Sequence, residues 1–175
     1  MGITSREFKK RRKELMERME PNSIGLLSSA PECLRNNDAE YQYRQSSDFY
    51  YLTGFSEPQA ILALVPGRQQ GEVILFCREK DLEKELWTGF ILGPDAAIDT
   101  LEIDDAYPIA DVDDIIVGLI EGRDRIYYSM GKDDNFDGKV MAWVRSIRNN
   151  AKVGPPPPSE FQVLDHLLHE LRLIK

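Results

Sequence analysis

Residues 60–76, AILALVPGRQQGEVILF, contain two short apolar segments separated by a polar linker. Segments 60–65 and 72–76 each have the length and composition of a buried strand, and the linker contains the proline and glycines typical of a turn. Strands joined by so short a connection pair antiparallel. The stretch therefore predicts a β-hairpin, so the sheet that contains it cannot be wholly parallel.

The sequence on either side of this hairpin alternates between strand and helix patterns. Thr4 and Glu7 have the spacing of a capping box before a helical pattern over 4–19. The charged segment 78–86 favours a helix or a turn. Further strands are predicted at 24–29, 49–52 and 125–130, and further helices at 95–101, 112–120, 140–147 and 161–171. Alternation of this kind indicates an α/β fold, a mixed sheet with helices on both faces.

A run of four prolines at 155–158 marks a boundary, because such a run is extended and cannot join a helix. We expect residues 1–154 to form one α/β domain. Residues 155–175 are then a proline-rich spacer followed by a helix.

Composition and charge exclude several classes of protein. The 175 residues include 22 Lys+Arg and 30 Asp+Glu, a net charge of −8 that argues against nucleic-acid binding. The seven basic residues in 6–18 lie all round the first helix and are expected to be solvated. No apolar segment approaches the ~20 residues that span a bilayer, so no membrane association is expected. The N-terminus is charged throughout and lacks the apolar segment of a secretory signal. The two cysteines, Cys33 and Cys77, are therefore expected to be reduced thiols in the cytoplasm.

No catalytic or metal-binding motif is evident in the sequence. His166 and His169 are spaced i, i+3, but no HExxH motif accompanies them, which favours two histidines on a polar helix face. Residues 133–138 match the first half of a calcium loop, yet Val144 stands where the bidentate carboxylate belongs, which favours a turn and helix cap. We therefore predict no catalytic residue and no metal ligand in this chain.

Residues 43–58, YRQSSDFYYLTGFSEP, resemble the N-terminal domain of aminopeptidase P, the Xaa-Pro aminopeptidase of the creatinase/prolidase group. The spacing Trp87-x-Gly89-x-x-x-Gly93 and the final Glu170-x-Arg172-x-x-Lys175 agree with that resemblance. It implies a fold like the creatinase/prolidase N-terminal domain. Within 43–58, the i, i+4 spacing of Arg44 and Asp48 predicts a local ion pair.

The resemblance implies that the chemistry belongs to a C-terminal catalytic domain of the pita-bread type, toward which 155–175 would lead. There, two manganese ions held by two Asp, one His and two Glu would activate water for attack on the bond before proline. This chain would itself be inactive and contain no cofactor. Its expected partners are its own catalytic domain, further copies in a dimer or tetramer, and a peptide with proline at the second position.

Two residues match family positions near the substrate entrance. Trp87 would approach the bound peptide, and Asp38 would orient its amino group; alternatively, Trp87 belongs to the core or a subunit interface and Asp38 to an Asx turn or cap. Phe90 and Ile91 stand where family members often have arginines. Two other functions stay open: the N-terminal domain of a prolidase-type Xaa-Pro dipeptidase, and a stand-alone protein-binding module.

Overall fold

The computed structural model describes residues 2–32, 43–150 and 154–173. The strands are β1 (Ser23–Ser28), β2 (Ile61–Leu64), β3 (Val73–Cys77), β4 (Asp105–Pro108), β5 (Arg125–Tyr128) and β6 (Glu160–Val163). The helices are α1 (Ser5–Arg18), α2 (Ser47–Thr53), α3 (Leu82–Thr88), α4 (Pro94–Leu101), α5 (Val112–Ile120), α6 (Asp134–Asn149) and α7 (Asp165–Leu173), with a 3₁₀ turn at Ile109–Asp111.

The six strands form one mixed sheet in the order β4-β3-β2-β1-β5-β6. Strand β2 pairs antiparallel with both β3 and β1, and Leu62 lies opposite Leu75 in the predicted hairpin. The pairs β3–β4, β1–β5 and β5–β6 are parallel. The predicted hairpin and the mixed sheet are confirmed.

Helices cover both faces of the sheet, as the alternation of elements predicts. Leu62 and Leu64 face a core that contains residues of α1, α2, α4 and α7. Ile61 and Ala63 face a second core with α5 and α6. Successive strand residues point to opposite faces, so fully apolar strands are needed when both faces are covered.

The predicted strand at 49–52 is wrong, because these residues lie in helix α2. The Ser46 hydroxyl accepts from the Phe49 backbone N–H at the start of α2, and Gly54 ends it in the left-handed conformation, at φ 69°. Phe49, Leu52 and Thr53 are buried, which is the i, i+3, i+4 pattern of a helix. The two caps and this packing outweigh the strand propensity of the aromatic residues.

The predicted helix at 161–171 is also partly wrong, because its first residues form β6. Phe161 pairs with Ile126 of β5, and helix α7 begins only at Asp165. Leu168 and Leu171 of α7 are buried in the same core as α1. The described part of 155–175 thus belongs to the same sheet and core as the residues before it. Strand β4 was not predicted from the sequence, and its four residues are only half-buried.

One of the basic residues of α1 is buried rather than solvated. Arg12 is 1% exposed, and its guanidinium donates to the carbonyl oxygens of Leu52 (2.8 Å), Leu101 (3.0 Å) and Glu102 (3.0 Å). These carbonyls lie at the C-terminal ends of α2 and α4, where helices leave acceptors unpaired and carry partial negative charge. Arg12 therefore joins three helices on one face of the sheet.

Candidate functional site

The excursion at 78–93, between β3 and α4, exposes large apolar side chains. Helix α3 within it has no buried residue. Four apolar side chains of the excursion are between 68% and 85% exposed: Leu82, Leu86, Trp87 and Phe90. We call these four side chains the apolar platform. Large exposed apolar side chains grouped in one excursion indicate a candidate site of contact with another molecule.

Trp87 has the most distinctive environment of the four. It is 84% exposed, so it does not belong to the core of this chain, whereas Trp143 is 3% exposed and donates from Nε1 to Asp113 at 2.8 Å. Its approach to substrate or to another subunit stays a prediction. Asp38, the other predicted entrance residue, lies outside the described residues.

Glu57 holds the two ends of the excursion together at its base. One carboxylate oxygen accepts from Arg78 Nη2 at 3.1 Å, and the other accepts from the Leu92 backbone N–H at 3.0 Å. The side chains of Glu57 and Arg78 are each only 16% exposed. Since Glu57 belongs to 43–58, the segment with the family resemblance also fixes the base of the platform.

A second set of contacts, between the two ends that Glu57 joins, involves Lys80 and Glu85. We call it the Lys80–Glu85 clasp. Lys80 Nζ donates to Glu85 Oε1 and to the Ile91 carbonyl oxygen at 2.8 Å, and the Ile91 N–H donates to the same Glu85 oxygen at 2.8 Å. Lys80 Nζ also lies 4.2 Å from the centroid of the Phe90 ring. These donors, Lys80 first and then the Ile91 N–H, hold the pKa of Glu85 below its ordinary value, although desolvation and, to a smaller extent, the charge of Asp81 oppose them.

Gln45 organises the rest of the 43–58 segment. Its Oε1 accepts from the Ala30 backbone N–H at 2.8 Å, and its Nε2 donates to the Glu57 carbonyl oxygen at 2.9 Å. Tyr43 donates its hydroxyl to the Ala30 carbonyl oxygen at 2.7 Å. Gln45 was not predicted as a site residue, since an isolated amide gives no periodic signal; only its place in 43–58 indicates its importance.

The predicted Arg44–Asp48 ion pair is wrong. Asp48 Oδ1 instead accepts from Arg172 Nη1 of α7 at 2.9 Å. Arg44 precedes the first residue of α2, so the i, i+4 spacing does not have the helical geometry that brings such side chains together. The Asp48–Arg172 pair lines a cavity of about 760 Å³ at the carboxyl ends of β1 and β5.

The described residues contain no group of three or more His, Cys, Asp or Glu side chains placed to hold a metal ion. Asp133 caps α6 by accepting from the backbone N–H groups of Asn135 and Phe136, so the predicted cap is confirmed, whereas residues 134–138 belong to α6 rather than to a turn. Cys77 is buried as a free thiol, and burial raises its pKa to about 12. Among the described helices, none combines the length and apolar character needed to cross a membrane.

Comparison with known proteins agrees with the fold. The family model "Aminopeptidase P, N-terminal domain" matches residues 8–127. The Xaa-Pro aminopeptidase of Escherichia coli is 36% identical over 99% of this chain and 40% of its own length, and that of Haemophilus influenzae is 37% identical over 99% of this chain and 38% of its own length.

Solved structures give the same result. Pseudomonas aeruginosa aminopeptidase PepP superposes with a TM-score of 0.93 at 56% identity, over 95% of this chain and 38% of that one. A substrate complex of an Escherichia coli aminopeptidase P variant superposes with a TM-score of 0.94 at 36% identity, over 100% of this chain and 40% of that one. The chain spans about 40% of the length of these relatives. It belongs to the family of aminopeptidase P N-terminal domains.

Proposed function

We propose that this chain is the non-catalytic N-terminal domain of a cytoplasmic, manganese-dependent Xaa-Pro aminopeptidase. Its apolar platform would contact another subunit of a dimer or tetramer and border the entrance for peptides with proline at the second position. The observation that supports this proposal best is the platform itself, whose four large apolar side chains are at least 68% exposed.

The way the platform is held supports a contact function. Large apolar side chains normally gain free energy by burial, about 1.5–3 kcal/mol each. Here the platform is held outward by polar contacts at Glu57 and Glu85. Helix α3, which contains three of its four side chains, buries none of its residues in this chain. Aromatic side chains such as Trp87 and Phe90 are the types enriched at protein interfaces.

The proposal assigns the two manganese ions and the hydrolytic step to a C-terminal catalytic domain. The described residues do not fit a metal centre, and we derive no catalytic step from them. The relatives that match this chain at 36% and 37% identity are Xaa-Pro aminopeptidases about two and a half times its length. Their activity favours an aminopeptidase over a prolidase-type dipeptidase for the complete protein.

Replacing Trp87 in the full-length enzyme tests the role of the platform. We expect Trp87→Ala to lower kcat/KM on an Xaa-Pro-Yaa tripeptide, or to weaken the oligomer, by about tenfold or more, the effect of losing an interface aromatic. Stability should change little, because the side chain is 84% exposed. Steady-state kinetics, sedimentation velocity and urea unfolding measure the three quantities.

Met141→Ala is the matched control, because Met141 is also an exposed apolar side chain, but on α6. It should leave kinetics and assembly unchanged. The proposal is contradicted if Trp87→Ala behaves like this control. It is also contradicted if Trp87→Ala lowers the unfolding free energy by about 3–5 kcal/mol, as truncation of a core tryptophan does, while the folded fraction keeps normal kinetics and assembly.

A further inference from the structure

We infer that Lys80 and Glu85 are positioning residues that fix the orientation of Trp87 and Phe90 on the apolar platform. The functional part of this inference rests on the proposed function of the platform. The clasp itself can be tested independently of that function, because it predicts where a tryptophan side chain lies and how freely it moves.

Helix α3 needs such a device because neither its length nor its packing holds it in place. It has seven residues and none is buried. Isolated helices shorter than about 12–15 residues are marginal in water, and most helices in proteins are stabilised by packing of an apolar face. The apolar residues of α3 instead face solvent, so polar contacts at its two ends must fix its position.

The first of these contacts lies at the N-terminal end. Asp81 caps α3 by accepting from the backbone N–H groups of Glu83 and Lys84, at 3.1 and 3.2 Å. This cap fixes the first turn, but it does not fix the position of Trp87 near the other end of the helix.

The Lys80–Glu85 clasp fixes the C-terminal end. Glu85 accepts from the Ile91 N–H, and Ile91 is only 1% exposed, so the carboxylate joins α3 to an anchored residue. Trp87 and Phe90 both lie in the chain between Glu85 and Ile91. Lys80 adds the ring contact with Phe90, which places that side chain beside the helix. Without the Glu85 carboxylate, residues 86–90 lose the side-chain contact that joins α3 directly to Ile91.

The effect of the clasp on the position of the platform can be separated from its effect on the unfolding free energy of the domain. The side chains of Lys80 and Glu85 are 43% and 16% exposed, so the pair lies at the surface rather than in the core, and such ion pairs contribute little to the free energy of unfolding. Removal of the clasp should therefore mobilise the platform without unfolding the domain. That separation makes the effect distinguishable from a general structural defect.

Fluorine NMR of the 175-residue chain labelled with 5-fluorotryptophan tests the position of Trp87 directly. The chain contains two tryptophans, so Trp143 provides an internal reference in the core. Glu85→Ala should narrow and shift the Trp87 resonance toward that of free fluorotryptophan and leave the Trp143 resonance unchanged. The urea midpoint should fall only slightly, because the Ile91 N–H loses its acceptor. Glu83→Ala, an exposed glutamate on the same helix, should change neither resonance. An unchanged Trp87 resonance in Glu85→Ala overturns the inference.

Glu85→Gln provides the conservative variant. Its side-chain oxygen can still accept from the Ile91 N–H, but the charge that attracts Lys80 is gone. The Trp87 resonance should therefore lie between those of the wild type and Glu85→Ala. A Glu85→Gln spectrum identical to that of Glu85→Ala would contradict the assigned role of the Ile91 contact.

A double-mutant cycle in the full-length enzyme tests whether the clasp acts through Trp87. Glu85→Ala should lower kcat/KM or assembly in the same direction as Trp87→Ala, and the double variant should be no worse than Trp87→Ala alone. If the fold losses of the two single variants multiply in the double variant, the inference is contradicted. If Trp87→Ala changes nothing while Glu85→Ala still mobilises Trp87, the proposed function fails and the positioning role stands.

Discussion

The buried guanidinium of Arg12 provides the sharpest test of how the helices on one face of the sheet are held together. Arg12→Met keeps an unbranched apolar side chain of similar length and removes the donors for the carbonyls of Leu52, Leu101 and Glu102. The first two of these contacts are buried. Water therefore cannot readily replace the lost donors.

The expected magnitude follows from two opposing effects. A carbonyl left without its donor costs about 1–3 kcal/mol, so three of them cost about 6 kcal/mol. Methionine does not need to be desolvated as a cation, which offsets part of that loss. Burial lowers the pKa of Arg12 to about 10, a displacement worth about 3 kcal/mol. The net loss of unfolding free energy should be about 3 kcal/mol.

Urea unfolding followed by fluorescence and circular dichroism measures this loss. Lys13→Met is the matched control, because Lys13 is the next residue of α1 and is exposed. It removes the same charge and should change the free energy by no more than about 0.5 kcal/mol. If Arg12→Met is no more destabilising than Lys13→Met, Arg12 does not join these helices.

Two further predictions concern Gly54 and the clasp. Gly54→Ala should cost about 2–4 kcal/mol in urea unfolding, because an added Cβ would lie 2.4 Å from the Phe8 ring at φ +69°. Gly67→Ala, at φ +83° in open space, should cost only about 1 kcal/mol, and equal losses would contradict the predicted clash. Because the pKa of Glu85 is lowered, the clasp is intact above the ordinary glutamate range and is lost as pH falls through the lowered value. The Trp87 fluorine resonance should therefore narrow and shift toward that of free fluorotryptophan only below the ordinary glutamate range. In Glu85→Gln the resonance should be independent of pH. The same narrowing and shift at higher pH would contradict this.

Much of the fold could be predicted from the sequence because local signals and tertiary packing agree. The hairpin over 60–76, the capped α1 and the amphipathic α5 all have patterns that the structure satisfies. The errors at 49–52 and 161–171 arise where short apolar segments fit both the helix period and the strand period. Helix caps or strand pairing then decide between the two structures. Arg12 could not be recognised as buried, since nothing in the helix pattern indicates carbonyls brought close by two other helices.

The candidate site was only partly predictable. The family resemblance indicated Trp87, but its exposure depends on how the excursion folds. Glu57 and Glu85 act through contacts with residues 35 and 6 positions away, respectively, that no sequence period indicates. Polar residues that hold a loop therefore become visible only when the backbone groups they bind are placed in space.

The most direct test of the central claim compares the 175-residue chain with the full-length protein in one assay. Both are incubated with manganese and with matched Xaa-Pro-Yaa and Xaa-Pro peptides, and release of the first residue is measured. The account predicts no release by the isolated chain, and release by the full-length protein that favours the tripeptide. Turnover by the isolated chain that is free of contaminating peptidase, or a full-length protein that cleaves only the dipeptide, would contradict it.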